Sequence, residues 1–276
     1  MKKLLSVLMA AAMLVGVLSL AGCGGNGGET TTDPAADADN SAATTETAGD
    51  LTTVTAGKLT MSTNAQFPPY EMVADDGSFE GIDIEVADAI AKKLGLELQV
   101  DDMDFDAALL AAQNGKSDMV MAGVTVTDER LKVMDFSDTY AEGIQSIIVP
   151  EDSDIASADD LTGKAIGTQR GTTGYLYCTD DFGEENVIAY DDGLTAVQAL
   201  NNGQVDAVVI DNAPAQEFVA ANPGLKILDT AYAQEDYAIG VAKGNTQLLD
   251  AINGALEELQ DDGTLQAIVD KYITAE

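Results

Sequence analysis

An arginine at the end of an apolar strand is the strongest candidate for binding chemistry in this sequence. Arg130 follows the apolar residues 119–122 and stands three positions after Thr127. Thr127 is typical of a helix N-cap, so the guanidinium is expected at a helix start, beside free backbone N–H groups. A cation there opposes the helix dipole. Together with these donors and the Thr125 hydroxyl, the planar guanidinium is suited to bind a carboxylate.

The second candidate is Asp211, which ends a similar apolar strand in the second half of the chain. Residues 202–208 repeat the Asn-Gly-x-x-Asp pattern of residues 114–120. This repetition is also compatible with an ordinary succession of helix, glycine turn and strand. Because ligands of open α/β sheets bind beyond the carboxyl ends of the strands, the two strand ends predict two lobes that face a cleft. Asp211 could also be an N-cap of the helix that contains Pro214, and capping and ligand binding could both apply.

The elements that must position these residues alternate between strand and helix. Such alternation predicts a parallel sheet covered on both faces. Residues 164–174 predict a strand, a glycine-rich turn and a helix, and this turn could present N–H groups to an anion. It lacks the Walker and GxGxxG patterns, so a carboxylate is favoured over a nucleotide. The other predicted strands are 59–63, 96–100 and 118–122, and the helices are 84–94, 106–113 and a closing helix over 246–272.

Composition excludes several function classes. The 276 residues carry a formal net charge of -35 and no histidine. The acidity argues against nucleic-acid binding and against charge-driven adhesion to anionic membranes. We interpret it as a source of solubility. The lack of histidine excludes a Ser-His-Asp triad and an HExxH zinc site, and we predict neither a cofactor nor a metal.

The N-terminus is predicted to be an export signal. Lys2 and Lys3 precede an apolar run over residues 4–21, which indicates a signal peptide over residues 1–22, with a transmembrane anchor as the alternative. The sequence Leu-Ala-Gly-Cys that ends at Cys23 resembles a bacterial lipobox. The resemblance implies cleavage before Cys23 and a lipid anchor on that cysteine, as in palmitate-bearing lipoproteins at the outer face of the cell membrane.

Residues 23–50 are rich in Gly, Thr, Ala and Asp, and they predict a disordered tether after the lipidated cysteine. Cys178 is then left without an internal disulfide partner. We interpret it as a partly buried structural thiol, with intermolecular pairing as the minor alternative.

Several segments together resemble the amino-acid-binding solute-binding proteins (extracellular, family 3 type) of ABC importers. The resemblance covers residues 59–273 and implies a protein that captures a free amino acid outside the cytoplasm. The partners it implies are that amino acid and an ABC permease in the membrane that reads the closed form, with the protein itself a monomer. It rests on residues 64–71, 81–87, 103–106, 122–130, 135–137, 169–173 and 207–211.

The same resemblance implies the fold, an α/β two-lobed periplasmic-binding-protein-like (type II) architecture. Two parallel-rich sheets would be joined by a two-strand hinge with crossings at residues 141–145 and 236–240. Lobe 1 would comprise residues 51–142 and 238–276, and lobe 2 would comprise residues 143–237.

The resemblance also implies ten ligand-binding residues. Arg130 would pair with the ligand α-carboxylate and Asp211 with its α-ammonium, since a zwitterion needs one fixed cation and one fixed anion. The remaining assignments are Thr125 and Thr173 beside the carboxylate, the Gly123 carbonyl beside the ammonium, Phe67 and Phe105 as a clamp, and Asn64, Ala122 and Gln169 as the rest of the wall.

Asn64 bears on the identity of the ligand. Family members that take basic amino acids tend to have Asp at this position, so an amide favours an uncharged polar side chain, such as that of glutamine. Gly174 and Ala122 leave room, which keeps cystine or a larger neutral amino acid open. Without the resemblance, Phe67 and Phe105 would be interpreted as core residues.

Two other function classes remain open from the sequence. An enzyme on the same fold, such as a dehydratase, would use a cleft carboxylate as general acid. However, Asp211 is the acid expected in the cleft, and Asp83 is predicted to be a cap or turn former. A sensory domain would normally be linked to a signalling module, and we expect none after Glu276.

Overall fold

The first half of the fold is built from short strands that alternate with helices. The structure, a computed structural model, describes residues 51–273. The predicted strands and helices of this half are confirmed, with boundaries that move by up to two residues. The elements are β1 (Lys58–Thr63), β2 (Gln66–Phe67), β3 (Glu71–Val73), β4 (Phe79–Glu80), α1 (Ile82–Lys93), β5 (Glu97–Asp102), α2 (Phe105–Gln113), β6 (Met119–Val120), α3 (Asp128–Leu131) and β7 (Met134–Pro150).

The second half repeats this alternation and returns to the first. The glycine-rich segment folds as predicted, because a strand ends at Gln169 and a helix begins at Thr173. The elements are β8 (Ile166–Gln169), α4 (Thr173–Phe182), β9 (Val187–Tyr190), α5 (Gly193–Asn201), β10 (Ala207–Asp211), α6 (Asn212–Ala221), β11 (Leu225–Ile227), β12 (Ala233–Ala242), α7 (Thr246–Asp261) and α8 (Thr264–Tyr272).

The prediction of one closing helix over residues 246–272 is wrong. The chain forms α7 and α8, which are separated by Asp262 and Gly263. Gly263 adopts φ 77°, a left-handed conformation that ends a helix and that glycine adopts without steric cost. Both helices pack against α1, an element of the predicted lobe 1.

The two parallel halves belong to one continuous nine-stranded sheet, because two long strands are shared between them. The strand order is β5-β1-β6-β12-β7-β10-β8-β9, with β11 paired to β7. β5, β1 and β6 are mutually parallel, as are β10, β8 and β9. β7 and β12 run antiparallel between these two parallel sets and carry the chain from one lobe to the other. A separate three-stranded sheet contains β2, β3 and β4.

The predicted crossings at residues 141–145 and 236–240 lie on the long paired strands β7 and β12, although the residues opposite 141–145 are 233–237. Ala141 pairs with Tyr237 and Gln145 with Ala233, and the register shifts between Tyr237 and Ala238. This irregularity coincides with the predicted change of lobe at residues 237–238. The exact lobe boundaries remain a prediction.

Candidate functional site

The ten residues assigned to ligand binding from the sequence line a single cavity. Its walls come from the ends of β1, β6, β8 and β10 and from the starts of α2, α3 and α4. Glu71 and Thr172 also line it, and the sequence analysis did not include them. The lining residues are Asn64, Phe67, Glu71, Phe105, Ala122, Gly123, Thr125, Arg130, Gln169, Thr172, Thr173 and Asp211.

Arg130 supplies the positive charge of the cavity. Its backbone N–H donates to the Thr127 hydroxyl at 3.2 Å, so the predicted N-cap is confirmed. The guanidinium donates to the carbonyl oxygens of Thr125 at 2.8 Å and Gly171 at 3.1 Å, and it lies 5.4 Å from the centre of the Phe105 ring. Burial lowers the pKa of Arg130, but a guanidinium remains charged in proteins. A buried cation held by neutral carbonyls is thus available to an anion.

Asp211 supplies the opposite charge from the second lobe. It occupies the N-cap position of α6, but its side chain makes no capping hydrogen bond, so the capping alternative is wrong for the carboxylate. Instead it accepts hydrogen bonds from Gln145 Nε2 at 2.8 Å and from the Tyr237 hydroxyl. Burial, together with the nearby charge of Glu235, raises the pKa of Asp211 to about 7. A cation beside it would therefore stabilise its ionised form.

Gln145 hydrogen-bonds both the Asp211 carboxylate and the Glu235 carboxylate. The sequence analysis did not assign it to the site. Its Nε2 donates to Asp211 Oδ2 and to Glu235 Oε2, each at 2.8 Å. Gln145 therefore fixes the direction in which Asp211 faces. Its position at the end of the predicted crossing 141–145 was the available signal, because a hinge strand passes the cleft.

Phe67 and Phe105 are compatible with both interpretations from the sequence, as core residues and as residues of the ligand cavity. Phe67 and Phe105 are 7% and 6% exposed, and both pack in apolar clusters while they line the cavity. Gly123 has φ 54°, and a Cβ there would lie 3.0 Å from the Phe67 ring. The absence of a side chain at Gly123 therefore lets the ring approach the backbone.

Polar contacts cross the cavity between the two lobes. Gln169 Nε2 donates to Asn64 Oδ1 at 2.9 Å, and the hydroxyls of Thr125 and Thr173 lie 3.5 Å apart. The bond from Arg130 to the Gly171 carbonyl also spans the two lobes. The cavity measures about 10 Å³ in this arrangement, which is space for about one water molecule.

Two buried carboxyl groups, Glu71 and Asp83, belong to this region, and of the two only Glu71 lines the cavity. Glu71 is 1% exposed, and Asp83 is fully buried. Asp83 accepts hydrogen bonds from Gly123 N and the Tyr140 hydroxyl, both at 2.9 Å. The prediction of Asp83 as a cap or turn former is therefore wrong: its carboxylate fixes the strand end at Gly123. Glu71 pairs with Phe67 across β2 and β3, and this hairpin carries its side chain to the cavity.

Three other residues discussed from the sequence, Gly174, Arg170 and Cys178, do not line the cavity. Gly174 packs against Gln145 and Val209 and does not line the cavity, so it provides no room for a larger ligand. Arg170 is exposed, with its guanidinium 3.9 Å from Asp191. Cys178 is a free and fully buried thiol, rather than the partly buried one expected, and burial raises its pKa to about 12.

Membrane and metal features can be described only within residues 51–273. No helix in that range is both long and apolar enough to cross a membrane, and no cluster of three potential metal-ligating side chains occurs there. The predicted signal peptide, Cys23 and the tether up to residue 50 lie outside the described residues.

Comparison with known proteins shows that this chain is similar to bacterial solute-binding proteins. Residues 59–275 match the family model of bacterial extracellular solute-binding proteins, family 3. The chain is 34% identical over 223 residues to the L-cystine-binding protein TcyJ of Escherichia coli (strain K12), covering 80% of this chain and 84% of that protein. It is 33% identical over 231 residues to the arginine-binding extracellular protein ArtP of Bacillus subtilis (strain 168), covering 79% and 87%.

A solved structure shows the same architecture. An ancestral arginine-binding protein bound to glutamine superposes with a TM-score of 0.76 at 44% identity, and the match covers 79% of this chain and 99% of that one. The expected two-lobed type II fold is thereby confirmed.

Proposed function

This chain belongs to the bacterial extracellular solute-binding proteins of family 3, and from this premise we propose that it captures a free amino acid between its lobes and delivers it to an ABC-type importer. The observation that carries the proposal is the placement of Arg130 and Asp211 on one small cavity, one from each lobe. A zwitterionic amino acid bridges such a pair and stabilises the closed arrangement, which a permease can distinguish from the open one.

The proposed orientation of the ligand follows from the charges of the wall. Its α-carboxylate binds the Arg130 guanidinium, with the hydroxyls of Thr125 and Thr173 beside it. Its α-ammonium binds the Asp211 carboxylate and the Gly123 carbonyl. The side chain then lies between the rings of Phe67 and Phe105, along the wall that also contains Asn64, Ala122 and Gln169.

We propose a neutral polar amino acid, such as glutamine, as the ligand. Asn64 and Gln169 present amide groups to the cavity, and amides both donate to and accept from a ligand amide. The similar structure whose ligand is glutamine supports this choice, and the names of the arginine- and cystine-binding relatives define the competitors to be tested.

A thermal-shift panel with the twenty amino acids and cystine tests the proposal. A ligand at 100 times its Kd stabilises the folded protein by about 2.7 kcal/mol, so a clear rise in Tm is expected with glutamine. Mass spectrometry of the same mixtures should recover the ligand unchanged. The absence of any shift would contradict the proposal, and consumption of the ligand would favour the enzyme.

We also propose that the protein is a monomer anchored to the outer face of the cell membrane through lipid on Cys23. Two acyl chains anchor a protein stably where one gives only marginal binding. Intact-mass analysis of the membrane fraction should show a mature chain that begins at an acylated Cys23. In a Cys23→Ala variant the protein should not carry this modification. An unmodified cysteine in the wild-type membrane fraction would contradict the anchor.

A further inference from the structure

Glu71 is a cavity-lining carboxyl group that is 1% exposed, and the carboxyl group of Asp83 lies within hydrogen-bond reach of it. A proton shared with Asp83 engages one of the two Glu71 oxygens, so the other oxygen is available to a ligand in the cavity. Asn64, Gln169 and Asp211, on the same wall, each make at least one hydrogen bond within the protein.

The surroundings of Glu71 favour a proton on its carboxyl group. The groups that face it from neighbouring elements are acids and phenols: Asp83 of α1, Asp102 of β5, Asp211 of β10, and the hydroxyls of Tyr70 and Tyr140. No lysine or arginine of the described part of the chain is among them. Burial, followed by the charge of Asp83, raises the pKa of Glu71 well above its usual range.

Asp83 is better placed than Glu71 to hold the negative charge of this pair. It already accepts from Gly123 N and from the Tyr140 hydroxyl, and such bonds stabilise a carboxylate. Two adjacent carboxyl groups in a low-dielectric site share one proton rather than both ionise. That proton therefore resides on Glu71, which presents a neutral carboxyl group to the cavity.

On the basis of the proposed function, we infer that Glu71 determines which side-chain charge the cavity accepts, and that it does so by exchanging a proton. Against a neutral amide, the protonated carboxyl group stays intact and accepts an N–H from the ligand. Against a cationic side chain, the O–H bond of Glu71 breaks, the proton passes to solvent, and the electron pair stays as a carboxylate that pairs with the cation. Cationic amino acids therefore bind with proton release at Glu71, and neutral ones without it.

Asp211 provides an internal reference for this proton exchange. Its raised pKa means that any α-ammonium releases part of a proton there as well. This contribution is the same for glutamine and arginine, since both carry the ammonium group. The difference in proton release between the two ligands thus isolates Glu71.

Titration calorimetry of the full-length protein at pH 6, in two buffers of different ionisation enthalpy, measures this difference. Arginine should release up to about one proton more per bound molecule than glutamine. The affinity ratio of arginine to glutamine should rise with pH, by at most about tenfold per pH unit, because ionised Glu71 becomes available without the cost of deprotonation.

The variant Glu71→Gln separates the role of the charge from that of packing. Its amide can still donate to Asp83 and present an oxygen to the cavity, so it imitates the protonated side chain. Because removal of one partner of a buried charge pair costs about 2–5 kcal/mol, the arginine-to-glutamine affinity ratio should fall by about 30-fold or more. The excess proton release with arginine should disappear. Glu80→Gln removes the same charge from an exposed position on β4 and should leave both quantities unchanged.

The outcomes distinguish this inference from the proposed function. If the wild-type protein binds glutamine but does not bind arginine, or binds it without excess proton release, the inference is wrong and the proposed function stands. An unchanged arginine-to-glutamine affinity ratio in Glu71→Gln would likewise contradict the inference and leave the proposed function standing. If neither amino acid nor any other binds to the wild-type protein, both fail together.

Discussion

At the scale of single residues, the cavity resembles a receptor whose charges are already fixed before a ligand arrives. Arg130 is held by carbonyl oxygens and by contact with the Phe105 ring, and Asp211 is held by Gln145 and Tyr237. These partners orient the charged groups, and among residues 51–273 neither charge is neutralised by an ion pair. The binding free energy of a zwitterion therefore comes from two charges that have already been desolvated.

Replacement of Arg130 by alanine is expected to abolish tight binding of an amino acid. The α-carboxylate would be buried without its cation, a loss of about 2–5 kcal/mol that corresponds to about 30- to 5000-fold in Kd. Calorimetry with the ligand found in the panel measures the change. Arg170→Ala is the matched control, because Arg170 is the other arginine of the chain and is exposed. A near-native Kd in Arg130→Ala would contradict the site, provided that circular dichroism shows a folded protein.

The residues differ in how well their roles could be predicted from sequence. Arg130 and Asp211 are recognisable because each belongs to a contiguous motif: Asp211 ends an apolar strand, and Arg130 lies at the start of the helix that follows one. Gln145 and Glu71 act through partners that are distant in the chain, 66 residues for Gln145 and Asp211. Neither can be assigned to the site until the fold brings β7, β10 and β3 together. Local sequence patterns report strand ends well, but they do not report which side chains meet across the cleft.

At the scale of elements, periodicity predicts where strands and helices lie but not how the long strands connect them. The alternation of strands and helices in residues 58–120 and the cap at Thr127 are visible in the sequence. The break at Gly263 is not, because the apolar pattern continues from α7 into α8 while only the backbone conformation changes. The 17-residue β7 is likewise known only once its pairing with β12, β10 and β11 is seen.

The crossing of β7 and β12 depends on a glycine that faces a tyrosine. A Cβ at Gly143 would lie 2.5 Å from the Tyr237 ring, and the hydroxyl of that ring donates to Asp211. Gly143→Ala is therefore expected to displace the ring, at a cost of about 1–3 kcal/mol in unfolding free energy. It should also weaken amino-acid binding through Asp211. Urea unfolding and calorimetry measure the two effects.

Gly254→Ala is the matched control for this substitution. Gly254 lies in α7 and is exposed, and a Cβ at this position would meet no atom within 4 Å. Since alanine is favoured over glycine inside a helix, this change should stabilise the protein by about 0.5–1 kcal/mol and leave binding unaltered. Equal stability changes of the same sign in the two variants would contradict the assigned role of Gly143.

At the scale of the whole molecule, negative charge is present both on the surface and in the interior. The formal net charge is -35, and the buried carboxyl groups include Glu71 and Asp211, which line the cavity, and Asp83, which does not. Burial raises the pKa of Asp83 to about 6 and that of Asp211 to about 7. The ionised forms of these buried carboxyl groups are therefore unfavourable in the ligand-free protein. The α-ammonium of an incoming ligand compensates their negative charge, so ligand binding is coupled to the stability of the fold.

The ligand-free protein is therefore expected to be more stable at pH 5 than at pH 8. A carboxyl group whose pKa is higher in the folded state binds more protons when folded, so the unfolding free energy falls as pH rises from about 4 through the folded values near 6 and 7. Urea unfolding at both pH values in 0.5 M NaCl, which screens the surface repulsion, measures the part due to buried groups. Asp211→Asn removes one of them and should reduce the difference. A bound amino acid should act in the opposite direction, with a larger stabilisation at pH 8, because ionised Asp211 then faces its ammonium group. Ligand-free stability that rises from pH 5 to pH 8 at high salt would contradict this account.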